Sequence, residues 1–130
     1  MVPINEPATI QRAKQFLKDY RQWQLQKHSF SKWVNQPDTE MPPAAKQADF
    51  ECQLRLKTLA AMREIDQPTA LLADLLTDRY IHHLTIPQTV ADLSTKYHQG
   101  YLAERTVNRY QNRALLIFAY ACPRNLLVKK

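Results

Sequence analysis

The sequence predicts an all-α fold in which a long N-terminal helix precedes a helical domain that ends in a helix-turn-helix. Apolar residues recur at steps of three and four along most of the chain, which is the spacing of a buried helix face. The chain holds one glycine and eight prolines, whereas all-β folds and nucleotide-binding α/β folds need glycines in tight turns and phosphate loops. No segment has a convincing strand pattern.

The first predicted helix covers residues 8–34. Its apolar stripe consists of Ala13, Phe16, Tyr20, Trp23, Phe30 and Val34. The stripe must be buried either against the protein's own core or, as an alternative, against a second copy of the chain, because aromatic side chains also anchor interfaces. The prolines at 37, 42 and 43 cannot continue a helix, so residues 35–43 are predicted to be a linker. This divides the chain into residues 1–43 and a helical domain over residues 44–130.

Two further helices are predicted in the middle of the chain. The first runs from Ala44 to Glu64 and places one set of residues on its buried face: Ala48, Cys52, Leu56, Leu59 and Met62. The second runs from Thr69 to about His83 after a start at Asp66-Gln67-Pro68, with Pro68 at the first helical position. It is expected to bury Leu71, Leu72, Leu75, Leu76 and Tyr80, with Ile81 or Leu84 as further candidates. Asp74 and Asp78 share a face of this helix, which we expect to be a solvated stripe.

The last 45 residues have the order of a helix-turn-helix. A short helix is predicted to begin near Thr85 or Ile86 and to run through Val90, Leu93 and Tyr97. A turn at residues 98–100 contains the only glycine, and a longer helix then covers Ala103 to Ala121. A short helix, a turn and a longer basic helix are the parts of a DNA-binding helix-turn-helix, here at about residues 86–121.

The last predicted helix has two opposite faces. At about 100° per residue, its buried side consists of Val107, Tyr110, Ala114, Ile117, Phe118 and Ala121. The opposite side consists of Arg105, Asn108, Arg109, Asn112 and Arg113. Arginine bonds bidentately to guanine or holds phosphate, and asparagine bonds bidentately to adenine; Thr106 and Gln111 can add contacts. The alternative is a solvated basic helix with no ligand.

Charge and cysteine content set limits on the partners and the compartment. Net charge is +6, and the last thirty residues hold six Lys/Arg against one Asp/Glu, which favours an anionic partner at that end. Cys52 and Cys122 form no paired motif and are expected to be reduced and packed. The chain has no secretory leader and no apolar run long enough for a membrane span, so a bacterial cytoplasmic location is expected.

No enzyme signature is found. The adjacent His82 and His83 point about 100° apart on a helix and so do not form the i, i+4 pair of helical zinc sites. We expect these two, like His28 and His98, to be exposed rather than ligands. The sequence therefore predicts a protein that is not an enzyme and needs no metal or other cofactor.

The stretch YLAERTVNRYQNRALLIFA over residues 101–119 resembles the C-terminal signature of the ArpU family of phage regulators. Upstream, residues 16–23, Met41-Pro42 and Phe50-Glu51 are similar to the family's first helix and linker, so the resemblance covers most of the chain. It implies a helical protein whose C-terminal part is like region four of bacterial sigma factors. Ala103 stands where the family often has serine, a better helix cap, so the helix start is capped otherwise or shifted.

The resemblance implies control of late phage genes for packaging and lysis by binding double-stranded DNA. The residues that it implies in the groove are Glu104, Arg105, Thr106, Asn108, Arg109 and Asn112. Because residues at the front of a recognition helix lie deepest, we assign Arg105, Asn108 and Arg109 to bases and Arg113 to phosphate. Two alternatives stay open, a DNA-packaging protein like a small terminase subunit and an adaptor that binds RNA polymerase. The N-terminal helix is the candidate surface for polymerase or for self-association.

Overall fold

The computed structural model describes residues 3–33, 42–97 and 103–130. These residues form the following helices: α1 (Glu6–Lys18), α2 (Tyr20–Trp33), α3 (Pro43–Arg63), α4 (Gln67–Leu76), α5 (Ile86–Tyr97) and α6 (Glu104–Ala121). Helix α4 runs directly into a π-helical segment, Thr77–Ile81. Within the described ranges, the β contacts amount to one isolated antiparallel bridge between Ile4 and Lys129. The prediction of an all-α fold is confirmed.

The prediction of a single helix over residues 8–34 is wrong, because the structure has two helices with an interruption at Asp19. The Asp19 amide still donates to the carbonyl of Gln15 at 3.1 Å, and its side chain accepts from Nε2 of the same glutamine at 3.0 Å. Aspartate fits a helix interior poorly because its short side chain competes for local hydrogen bonds. Residue 34, the last of the predicted stripe, lies outside the described residues.

Proline placement explains how α3 and α4 begin. Helix α3 starts at Pro43, which the sequence analysis had assigned to the linker, because a proline at the first helical position loses no hydrogen bond. The rest of the predicted linker lies mostly outside the described residues. Helix α4 starts at Gln67, so Pro68 is its second residue, and Asp66 caps it by accepting from the amide of Thr69 at 2.7 Å.

One buried cluster joins both ends of the chain. Its members come from α1, α3, α4, the π segment, α5, α6 and the C-terminal tail, and include Ala13, Phe16, Leu17, Leu59, Met62, Leu75, Leu76, Tyr80, Leu93, Val107, Leu115, Phe118 and Leu126. The Phe16 and Phe118 rings lie 6.1 Å apart between centroids. The tail is bonded to the start of the chain, since the Asn5 amide donates to the Val128 carbonyl at 2.7 Å. The first part of the predicted aromatic stripe is therefore core.

The face of α3 differs from its predicted apolar composition. Ala48, Cys52, Leu59 and Met62 are buried as predicted, but Leu56 is only half-buried. Charged residues take part of that face instead, with Glu51 and Arg55 both almost fully buried. They can be buried because they pair with each other at 2.9 Å.

Helix α5 begins with a capping box. The Thr85 hydroxyl accepts from the Gln88 amide at 3.2 Å, and the Gln88 side chain accepts from the Thr85 amide at 2.9 Å. This reciprocal pair satisfies two amides at the helix start. The helix begins at Ile86, where the sequence predicted its start.

We expect Thr85→Ala to lower the free energy of unfolding by about 1 kcal/mol, because alanine cannot accept the Gln88 amide hydrogen bond. The measurement is urea denaturation followed by circular dichroism. Thr95→Ala is the matched control, since Thr95 lies on the same helix, is exposed, and its hydroxyl bonds only to the carbonyl of Ala91. Equal stability of the two variants would show that the Thr85 cap contributes nothing.

Both cysteines are buried and neither is in a disulfide, as expected. Among the helices of the described ranges, none combines the length and the apolar content needed to cross a membrane.

Candidate nucleic-acid interface

The first half of α6 exposes the polar side chains that the sequence analysis singled out. Arg105, Asn108, Arg109, Asn112 and Arg113 are all exposed. Each of them lies three or four residues from another member of the set, so the structure brings them to one face of the helix. Val107 and Ala114, on the opposite side, are fully buried.

Two of the remaining predicted site residues differ in exposure. Glu104 is exposed in the first turn of α6, where a carboxylate complements the positive end of the helix dipole. Thr106 is half-buried and lies toward the edge of the polar face. Ala103 stands at the N-cap and makes no side-chain cap, so the helix starts one residue later than predicted.

The polar face ends at Arg113. Farther along the same side of the helix, Leu115 and Ala119 are buried in the core cluster, at 0% and 2% exposure. Ala121, which was predicted to be buried, is exposed. The buried side of the helix therefore widens in its second half, where Phe118 meets Phe16 of α1. The exposed face is confined to the N-terminal half, which is the half that a recognition helix inserts into a groove.

The arginines of this face are not neutralised by the fold. None of the ion pairs formed within residues 3–33, 42–97 and 103–130 involves Arg105, Arg109 or Arg113. Within the same face, Glu104 is the one acidic residue. Such a surface has a positive potential, which attracts polyanions.

Arg79, which the sequence analysis did not identify, joins α6 to the π segment through a hydrogen bond. Arg79, in the π segment, donates from Nε to Gln111 Oε1 at 3.3 Å and from Nη1 to the carbonyl of Leu84 at 2.6 Å. Gln111 was expected to add contacts to DNA, but it is half-buried and its side-chain oxygen faces Arg79. The brace links α6 to the chain just before α5. No local pattern could have indicated it, because Arg79 and Gln111 are 32 residues apart.

A cleft of about 540 Å³ borders the polar face. Arg113, Tyr97 and Tyr110 line it together with the first residues of α4. Arg113 thus lies at the edge of α6 nearest α4, away from the tip of the helix. This position suits a contact to the DNA backbone better than one to a base deep in the groove.

Helix α5 packs between α4 and α6, with Thr89 and Leu93 fully buried. The Tyr97 hydroxyl donates to Asp74 Oδ2, and Arg63 Nε donates to Asp74 Oδ1 at 2.6 Å. Burial and the hydrogen bond to Asp74 raise the pKa of Tyr97. The predicted turn between α5 and α6, residues 98–100, lies outside the described residues.

The prediction that Asp74 and Asp78 form a solvated stripe is wrong. Asp74 is half-buried in the bonds just described, and Asp78 is 2% exposed. The sequence pattern missed this burial because α5 covers that side of α4 and the π segment.

The histidines in the described ranges are exposed, as expected for His28, His82 and His83; His98 lies outside those ranges. His83 has a φ of 56°, a left-handed conformation in which histidine is enriched. It lies two residues after the π segment, and the amide of the next residue, Leu84, donates back to the carbonyl of Asp78 at 2.8 Å. Within the described residues there is no group of three or more potential metal ligands.

Comparison of the chain with protein-family models, with curated proteins and with solved structures finds no match.

Proposed function

We propose that this protein binds double-stranded DNA, with the N-terminal half of α6 in the major groove and α5 as the preceding helix of a helix-turn-helix. The observation that supports this most directly is the exposed face of three arginines and two asparagines, backed by fully buried Val107 and Ala114. A helix built in this way can present side chains to base edges while its other side stays fixed in the core.

The roles within the face follow from position. Arg105, Asn108 and Arg109 lie in the first two turns of α6 and are assigned to base edges. Arg113 lies beside the cleft toward α4 and is assigned to a phosphate. The Arg79–Gln111 bond positions the helix without touching DNA.

The biological role proposed here is narrower. The resemblance of residues 101–119 to ArpU regulators supports transcriptional control of late phage genes as the purpose of DNA binding. Binding that is strongest at one duplex sequence is required for this role, whereas a general DNA-packaging protein needs no such preference.

Substitutions on α6 test the proposal. Duplexes are first selected from a random-sequence library with the wild-type protein, and affinity for the selected duplex and a scrambled one is then measured across a salt series. We expect Arg105→Ala and Arg109→Ala each to weaken binding to the selected duplex by about 1 to 3 kcal/mol. Each should also relax the base preference of the protein at one position of that duplex. Arg113→Ala should weaken binding to both duplexes alike. It should also lower by about one the slope of log affinity against log salt concentration.

Arg21→Ala is the charge-matched control, because Arg21 is exposed on α2, away from α6. It should bind like the wild type. Circular dichroism must show that each variant is folded. If the three α6 variants bind as tightly as the wild type, α6 is not a recognition helix and the proposal fails.

A further inference from the structure

Two carboxyl groups meet where α5 packs on the π segment. Asp78 belongs to the π segment and is 2% exposed. Asp92 belongs to α5, and its side chain is 31% exposed. The π segment packs directly on α5, and the Oδ2 atoms of both carboxyls are buried without a hydrogen-bond donor among the described residues. Burial and contact with Asp92 raise the pKa of Asp78, and contact with Asp78 lowers the pKa of Asp92. Two carboxylates in such contact cannot both stay ionised at low cost, so the pair holds one proton.

The surroundings place that proton on Asp78. Asp92 is paired with Lys96, whose Nζ lies 3.1 Å from Oδ2, close enough for an ion pair. Asp78 has no cationic partner at that distance, and its Oδ2, like the Oδ2 of Asp92, receives no hydrogen bond from a donor group within the described residues. The neutral acid is the form that tolerates burial, and it donates its hydrogen bond to the Asp92 carboxylate.

The charged groups around Asp78 come from several elements. On α5 they are Asp92 and Lys96, and on α4 the nearest is Asp74. His82, at the end of the π segment, acts on Asp92. Helices α1 and α2 also pack against the π segment, but their charged residues are exposed or half-buried and none is among the main charges acting on Asp78.

Helix α5 has few other attachments on this side. Leu93 is its one fully buried apolar residue, and Ile86, Val90 and Tyr97 are only partly buried against the core. A second negative charge at Asp78 would therefore act on a helix that is held mainly by partly buried side chains. We propose that the Asp78–Asp92 pair is a proton-dependent latch, which holds α5 against the π segment while Asp78 is protonated and loosens α5 when that proton is lost.

The pH range follows from linkage. Burial, with the hydrogen bond and the negative charge of Asp92, raises the pKa of Asp78 to about 7. The pKa of this carboxyl is 3.8 in the unfolded chain. At a pH between the unfolded and the folded pKa, the folded state therefore binds more protons than the unfolded state. The stabilisation is therefore fully present below the unfolded pKa and is lost as pH rises through the folded one. The latch weakens toward neutral pH and stays weak above it.

Asp78→Asn tests the latch without reference to DNA binding, on which the proposal does not depend. Asparagine keeps a neutral donor at this position and cannot ionise. The ratio of the unfolding constants of wild type and Asp78→Asn, from urea denaturation at pH 5 to 9, should rise by up to about tenfold per pH unit until about pH 7 and then level off. A ratio that is constant over this range would overturn the proposal.

Two further measurements keep the proposal testable if Asp78→Asn does not fold. The ¹³C signal of the Asp78 carboxyl in the wild type should titrate near pH 7. In Asp92→Asn it should titrate at a lower pH, because the neighbouring negative charge is gone. A wild-type midpoint near pH 4 would overturn the latch. Amide hydrogen exchange, corrected for intrinsic rates, should show that α5 loses more protection than α3 between pH 6 and 8. Equal loss in both helices would contradict a local latch.

Discussion

Glu51→Gln should lower the free energy of unfolding by about 3 kcal/mol, because it leaves a buried arginine without its counter-charge. The Arg55 side chain is 2% exposed, and its Nη1 lies 2.9 Å from Glu51 Oε2. Arg124, from the C-terminal tail, lies 2.6 Å from Oε1 of the same carboxylate. Glutamine has nearly the same shape, so the substitution removes the charge without opening a cavity.

The rest of the network shows why Arg55 cannot move to water. Its Nε donates to the carbonyl of Phe16 at 2.9 Å, and its guanidinium lies 3.7 Å from the centroid of the Phe16 ring. These contacts fix the arginine between α1 and α3, so its charge stays buried when Glu51 is neutral.

Asp49→Asn is the matched control for Glu51→Gln. Asp49 lies on the same helix and pairs with Lys27 at 2.8 Å, but both side chains are more than 40% exposed. Exposed pairs contribute about 0 to 1 kcal/mol. Urea denaturation of both variants should therefore separate them clearly. A loss for Glu51→Gln no larger than that for Asp49→Asn would show that the buried network is not what holds the tail and α1 to α3.

The same network predicts a loss of stability in acid. Burial raises the pKa of Glu51, but the hydrogen bonds and charges of Arg55 and Arg124 outweigh it, so the pKa lies below the ordinary value of 4.5. A carboxyl with a lowered folded pKa contributes stability above its unfolded pKa and loses it as pH falls through the folded one. Below about pH 4.5 the difference between wild type and Glu51→Gln should therefore shrink.

Local patterns predicted the apolar faces of single helices well. Leu71, Leu72, Leu75 and Leu76 are buried on α4 as their spacing indicated, because a repeat of three and four depends only on helix geometry. The exposed face of α6 followed from the same rule, as far as Arg113.

Features that depend on distant partners could not be predicted. Arg124 reaches Glu51 across 73 residues of sequence, and Leu115 is buried in a core cluster to which α1, α3 and α4 also contribute. Asp78 is one turn beyond Asp74 in the sequence, yet α5 covers it. Whether a polar residue is buried depends on which elements pack on it. The spacing of residues within one helix does not indicate those elements.

Phe16→Ala should lower the free energy of unfolding by about 3 to 5 kcal/mol, the range for removing a buried aromatic ring from a core. Phe16 is 7% exposed, faces the Phe118 ring, and supports the buried guanidinium of Arg55. Removing its ring leaves a cavity between α1 and α6 and takes away the aromatic face beneath Arg55. Urea denaturation measures the loss, and Phe50→Ala is the matched control, because Phe50 is 57% exposed on α3 and should change stability by less than about 0.5 kcal/mol.

This variant also separates the two explanations of the N-terminal aromatic stripe. If Phe16 were an anchor for a second copy of the chain, Phe16→Ala would change the mass measured by sedimentation and leave stability nearly unchanged. Its place in the core predicts the reverse, a large loss of stability with the mass of the folded protein unaltered. Trp23, half-buried on α2, is the residue through which self-association is still testable, because Trp23→Ala should stay folded. A change in mass with Trp23→Ala alone would assign the interface to α2 and leave α1 to the core.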